Sequence, residues 1–74
     1  MAKLIRMDQT GHTVLAEYSA EDPAAFLAAR EAFHRQLDDG FFAVASDQEG
    51  SAEQVRELPL EAPLVILRRP IAGG

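Results

Sequence analysis

Leu64-Val65-Ile66-Leu67 decides the fold, because it is apolar at four consecutive positions close to the end of a 74-residue chain. Side chains of a strand alternate between two faces. A run with no polar position therefore reads as a strand in the middle of a sheet with something packed over it, not as a half-wet edge. A late strand in the middle obliges earlier strands to lie on both sides of it, and the rest of the chain has to supply them.

Working back from that run, residues 60–63 with Pro63 read as a turn. Residues 54–58 admit two readings. Ser51 followed by Gln54 resembles a capping box, and Val55 with Leu58 suits a short helix; yet a place between two strand-like runs suits a strand closing a second hairpin. The strand is the preferred reading. Residues 46–53 form a polar loop with Gly50 at its tip, and residues 41–45 a strand. Earlier still, Asp22 can cap free helix N–H groups and Pro23 fits a first turn, where its missing donor is no loss. Phe26, Ala29, Phe33 and Leu37 then recur at helical spacing, and Gly40 ends the helix. Asp38 and Asp39 oppose the helix dipole, a small cost in solvent.

At the start, Val14, Ala16 and Tyr18 alternate with Thr13, Leu15 and Glu17, which marks a half-buried strand. Residues 4–7 are its natural partner. Between them Gly11 can take a positive φ and close the hairpin. The order is hairpin, helix, then two or three further strands, the last of them central. This is an α+β domain of β-grasp type, ββαββ, with a four- to five-stranded mixed sheet and one helix on one face. Residues 1–69 make the domain and residues 70–74 a tail.

Composition narrows the function. One small core leaves no room for a cleft between two lobes. With no Cys the chain forms no disulfide or thiolate zinc site and offers no thiol nucleophile, and a reducing cytoplasm is the expected location. Twelve acidic against seven basic residues give a net charge of −5. No basic run exceeds Arg68-Arg69, so nucleic acid is not an expected partner. The apolar stretch 24–29 is far short of a membrane span, and the N-terminus lacks the build of a signal peptide.

Side chains with chemistry are sparse. His12 and His34 lack metal-ligand spacing and read as surface residues. Asp38-Asp39 and Asp47 with Glu49 read as solvated acidic groups, since so small a chain forms no pocket deep enough to separate two carboxyl pKa values. Phe26, Phe33, Phe41 and Phe42 are assigned to the core. No Gly-rich phosphate loop or nucleophile–base pair occurs, so the chain is not read as an enzyme.

The residues nevertheless resemble the ubiquitin-like family. Thr10-Gly11-His12-Thr13, with Glu17 and Asp22 further on, follows the T-G-x-T…E…D spacing of the family's hairpin. Leu64-Val65-Ile66-Leu67-Arg68 is similar to its last strand and following Arg. Gly73-Gly74 matches the terminal diglycine of ubiquitin-like modifiers and of the thiamine and molybdopterin sulfur carriers, and Ile71-Ala72-Gly73-Gly74 looks most like the thiamine-pathway endings. Departures also occur. Arg6 stands where the family has a core apolar residue, so either the first strand slips by one, turning Ile5 and Met7 inward, or the correspondence fails there. Pro70 stiffens the tail, Lys3 is the only lysine, and the receptor-binding apolar patch of ubiquitin has no residue-by-residue counterpart.

The resemblance implies that the Gly74 carboxylate is adenylated by a separate E1-like enzyme, which uses the ATP, so that the chain needs no cofactor of its own. Gly73 and Gly74 would form the activated end, because residues without Cβ pass a narrow channel. Arg68 and Arg69 either fray beside the last strand or orient the tail through charge-assisted contacts. The product would pass to a target protein or to a sulfur acceptor. The rival expectation is an interaction module that binds a protein partner through a sheet face or edge.

Overall fold

In the computed structural model, which describes residues 2–8, 11–47 and 49–69, the chain opens as a hairpin of β1 (Ala2–Asp8) and β2 (Gly11–Tyr18). Gly11 takes φ +120°, as the turn requires. The pairing is not regular. Leu4 lies opposite Ala16 but Ile5 opposite Val14, so Leu15 is an extra residue and the strand carries a bulge there.

Helix α1 (Pro23–Asp38) starts where the cap residues place it. Asp22 Oδ1 accepts from the Ala25 N–H at 3.1 Å, and Pro23 occupies the first turn. It stops at Gly40, whose φ of +100° only a residue without Cβ adopts cheaply. The chain returns as β3 (Phe42–Ser46), turns through an acidic loop, and continues as β4 (Ala52–Val55). In that loop Asp47 Oδ1 accepts from the N–H groups of Glu49 and Ser51, both at 2.9 Å. Residues 54–58 are thus not a helix: the strand begins two residues earlier than expected, and Leu58 drops into the core at 6% exposure.

The final strand, β5 (Leu64–Arg68), pairs parallel with β1 and antiparallel with β3. The fold is α+β, with one helix and a five-stranded mixed sheet in the order β2-β1-β5-β3-β4. The apolar run is therefore central, as its composition demands. Only one of its faces is covered. Val65 and Leu67 are fully buried with Leu4, Tyr18, Ala43 and Ala45 against Ala29 and Phe33 of the helix, whereas Leu64 and Ile66 are half-buried on the other side. Burying each large side chain contributes about 1.5–3 kcal/mol. The Tyr18 hydroxyl donates to the Pro59 carbonyl at 2.8 Å, which ties the β4–β5 connection to the core, and the Tyr18 ring lies 5.6 Å from that of Phe26.

One of the two alternatives left open for the first strand is excluded, and two expectations about facing are corrected. The first strand does not slip, for Ala2 and Leu4 face the helix, Ile5 is half-buried on the far side and Met7 is exposed. Arg6 shares the parity of Leu4 but sits at the rim of the core, where a guanidinium keeps contact with water. Val14 lies with Ile5 on the far face at 48% exposure, because the bulge at Leu15 reverses the alternation that Ala16 and Tyr18 follow. Phe42 alternates away from buried Ala43 and so leaves the aromatic core that Phe33 and Phe41 keep.

Candidate functional site

The site that the sequence proposes is the chain's C-terminal end. Gly73 and Gly74 lie outside the described residues; what the structure places is the strand that leads to them and its surroundings. Because strand side chains alternate, the consecutive arginines at the end of β5 part company. Arg68 is exposed on the face away from the helix, cross-strand from Met7 on β1 and Phe42 on β3, and its side chain makes no ion pair or hydrogen bond among the described residues.

Arg69, also exposed, turns the other way. Its Nη2 is 3.6 Å from Asp39 Oδ2, and its guanidinium carbon lies 4.9 Å from the centroid of the Phe41 ring. The ring is 8% exposed and is fixed by the helix end: Phe41 N–H donates to the Gln36 carbonyl at 3.0 Å, immediately after the Gly40 stop. Arg6 shares that ring at 6.0 Å, with its Nε 3.8 Å from Asp8 Oδ2. One buried aromatic thus carries two guanidiniums, each with a carboxylate beside it. Sequence reasoning grouped Arg68 with Arg69 and left Asp39 as a solvated acid; the period of two along β5 was the available signal that the pair would divide.

A second feature was not legible at all. The pairing registers place Val14, Ile5, Ile66 and Val44 in one continuous cross-strand row over β2, β1, β5 and β3, on the face away from the helix. Leu64 adjoins it on one side, Met7 and Phe42 on the other. Exposures of 48% at Val14 and 37% at Met7 mark it as an open apolar surface. Its charged rim is Lys3 and Arg68 against the single acid Glu17, with His12 beside Met7. In a chain of net charge −5 this face is locally cationic.

The remaining candidates settle into structural places. His12 is exposed, and His34 Nε2 stands 3.2 Å from Glu57 Oε2 on the outside of the helix, where Arg30 Nε reaches the same oxygen at 4.0 Å. Among the described residues no group of three His, Asp or Glu could hold a metal ion. Among these residues, too, no helix is long and apolar enough to cross a membrane. Set against family models, curated proteins and solved structures, the chain finds no match in any of the three comparisons.

Proposed function

We propose that the chain is a non-enzymatic ubiquitin-like carrier or modifier of β-grasp fold, activated at Gly73-Gly74 by a separate adenylating enzyme. The observation that carries the reading is the position of β5: among the described residues the last strand lies in the middle of the sheet, parallel to β1, with the helix on one face. Such a strand is held from both sides, so the chain leaves it at a fixed point.

In the proposed reaction a Gly74 carboxylate oxygen attacks the α-phosphorus of ATP. A new O–P bond forms, the bond from that phosphorus to the bridging oxygen breaks, and pyrophosphate leaves. A nucleophile supplied by a partner, a thiolate or an amine, then opens the mixed anhydride at its carbonyl carbon and releases AMP. With hydrosulfide as the nucleophile the same displacement gives a thiocarboxylate and AMP. The chain contributes the substrate carboxylate and the docking surface, and the catalytic groups belong to the partner.

Intact mass spectrometry of the protein from its native cell tests this. Oxygen-to-sulfur exchange, or Gly74 in isopeptide linkage to a lysine, is the expected result. The same measurement reads whether Gly74 is the C-terminal residue of the mature chain, which the proposal requires. Neither modification appearing would sink the reading.

The row Val14–Ile5–Ile66–Val44 favours a second reading, an interaction module in which this open face docks a protein whose apolar contact is rimmed by carboxylates. Removal of residues 73–74 separates the two: an adaptor keeps its partner, a carrier loses its function, and thermal stability stays nearly unchanged in both.

A further inference from the structure

We infer that Arg68 and Arg69 have separate tasks: Arg69 is an intramolecular anchor that fixes where the tail leaves the domain, and Arg68 alone is offered to a partner's carboxylate, from the open sheet face. The inference rests on the carrier reading for the tail's role, but the anchor itself does not.

The anchor is built from three parts. Asp39 sits at the helix C-terminus, Phe41 is held one residue past the helix stop, and Arg69 follows directly on the last strand. Its guanidinium lies over the ring at 4.9 Å and near the carboxylate at 3.6 Å, so two weak attractions act on one group. Arg6 lies at 6.0 Å from the same ring with Asp8 beside it. Without the Asp39 charge Arg69 keeps only the ring to hold it.

Arg68 has the opposite surroundings. Its cross-strand neighbours Met7 and Phe42 are apolar, and it borders the row of Ile5, Ile66 and Val44. A partner that covers the row desolvates that border, which strengthens a charge-assisted bond from Arg68 to one of its carboxylates. A partner approaching from the helix side would meet Arg69 already engaged and Asp39 beside it. The open face is thus the side from which the tail is read.

Two measurements decide this. By NMR of the whole protein, the Arg69 Hδ resonances are expected upfield, displaced by the Phe41 ring. Asp39→Asn, at an exposed position and so benign for folding, should reduce the displacement, and Phe41→Leu should abolish it. Undisplaced Arg69 resonances in the wild type overturn the anchor.

The second measurement is the modified fraction of Gly74 in the native cell, read by intact mass. Arg68→Ala is expected to lower it about tenfold, the worth of one charge-assisted bond. Asp39→Asn and Arg69→Ala should each lower it by a similar, smaller factor, and the double variant no further, because they act through one contact. Arg68→Ala combined with Asp39→Asn should be multiplicative. An Arg69→Ala effect well beyond that of Asp39→Asn, or no effect of Arg68→Ala, overturns the division of tasks. A wild-type chain that is never modified removes the carrier reading and the role assigned to Arg68, while the NMR result still decides the anchor.

Discussion

The two faces of the sheet are made by the same five strands and do different work. On the helix side the strands contribute small residues, Ala2, Ala43 and Ala45, between larger ones, Leu4, Tyr18, Val65 and Leu67, and all of these are closed off from water beneath Ala29 and Phe33. Small residues let the helix approach closely, and large ones fill what remains. The far side carries β-branched residues at intermediate exposure, Ile5, Val44 and Ile66, with Val14 more open still. They satisfy strand propensity and cross-strand contact but bury little. Stability is concentrated on one face, and the other is left open.

Truncation of the covered face should have the largest effect. Phe33→Ala removes a ring at 0% exposure and is expected to cost about 3–5 kcal/mol. That is most of the stability of so small a domain, and urea denaturation will read it as a collapse of the midpoint.

Tyr18→Phe comes next. It deletes the hydroxyl and leaves the Pro59 carbonyl without its donor, a loss of about 1–3 kcal/mol. The same variant has a pH signature. Burial pushes the Tyr18 phenol above its ordinary value of 10.0. The folded state then holds the proton more tightly than the unfolded chain, so this contribution is complete below the unfolded value and is lost as pH climbs through the folded one. Wild-type stability should therefore fall at alkaline pH by an increment that the Phe variant lacks; equal slopes for the two would break the argument.

The helix that closes the covered face can be weakened at its start. Asp22→Ala removes the acceptor for the Ala25 N–H and should cost about 1 kcal/mol, measurable as a shift in thermal midpoint. The smallest change is expected on the open face, where Val14→Thr should stay within about 0.5 kcal/mol. If that variant proves as damaging as Tyr18→Phe, the open face is a second core and the contrast between the faces disappears.

Local signals were legible wherever a residue's role depends on its near neighbours. Asp22, Pro23 and Gly40 bounded the helix, Gly11 bounded the hairpin and Gly50 marked the loop, because caps and turns close their hydrogen bonds within a few residues. Facing was less legible. Period two gives the relative sides of successive residues, but a bulge such as that at Leu15 depends on the partner strand and reverses the parity beyond it. Val14 was misplaced for that reason. Phe42 was misplaced because adjacency to Phe41 in sequence is opposition in a strand. Of the residues around the end of β5, the sequence singled out Arg68 and Arg69 but not Phe41 and Asp39 as the partners of Arg69, since these are distant along the chain and meet it only once β3 lies beside β5.

By itself the sequence determined the hairpin, the helix and the central place of residues 64–67, since an unbroken apolar strand has no stable position at a wet edge. Only the tertiary structure decided which apolar residues were covered and which were left in the row across β2, β1, β5 and β3, and which of two adjacent arginines was already engaged. The reason is physical: one helix covers one face of a sheet, and the choice of face follows from register, which is a relation between strands and not a property of any single one.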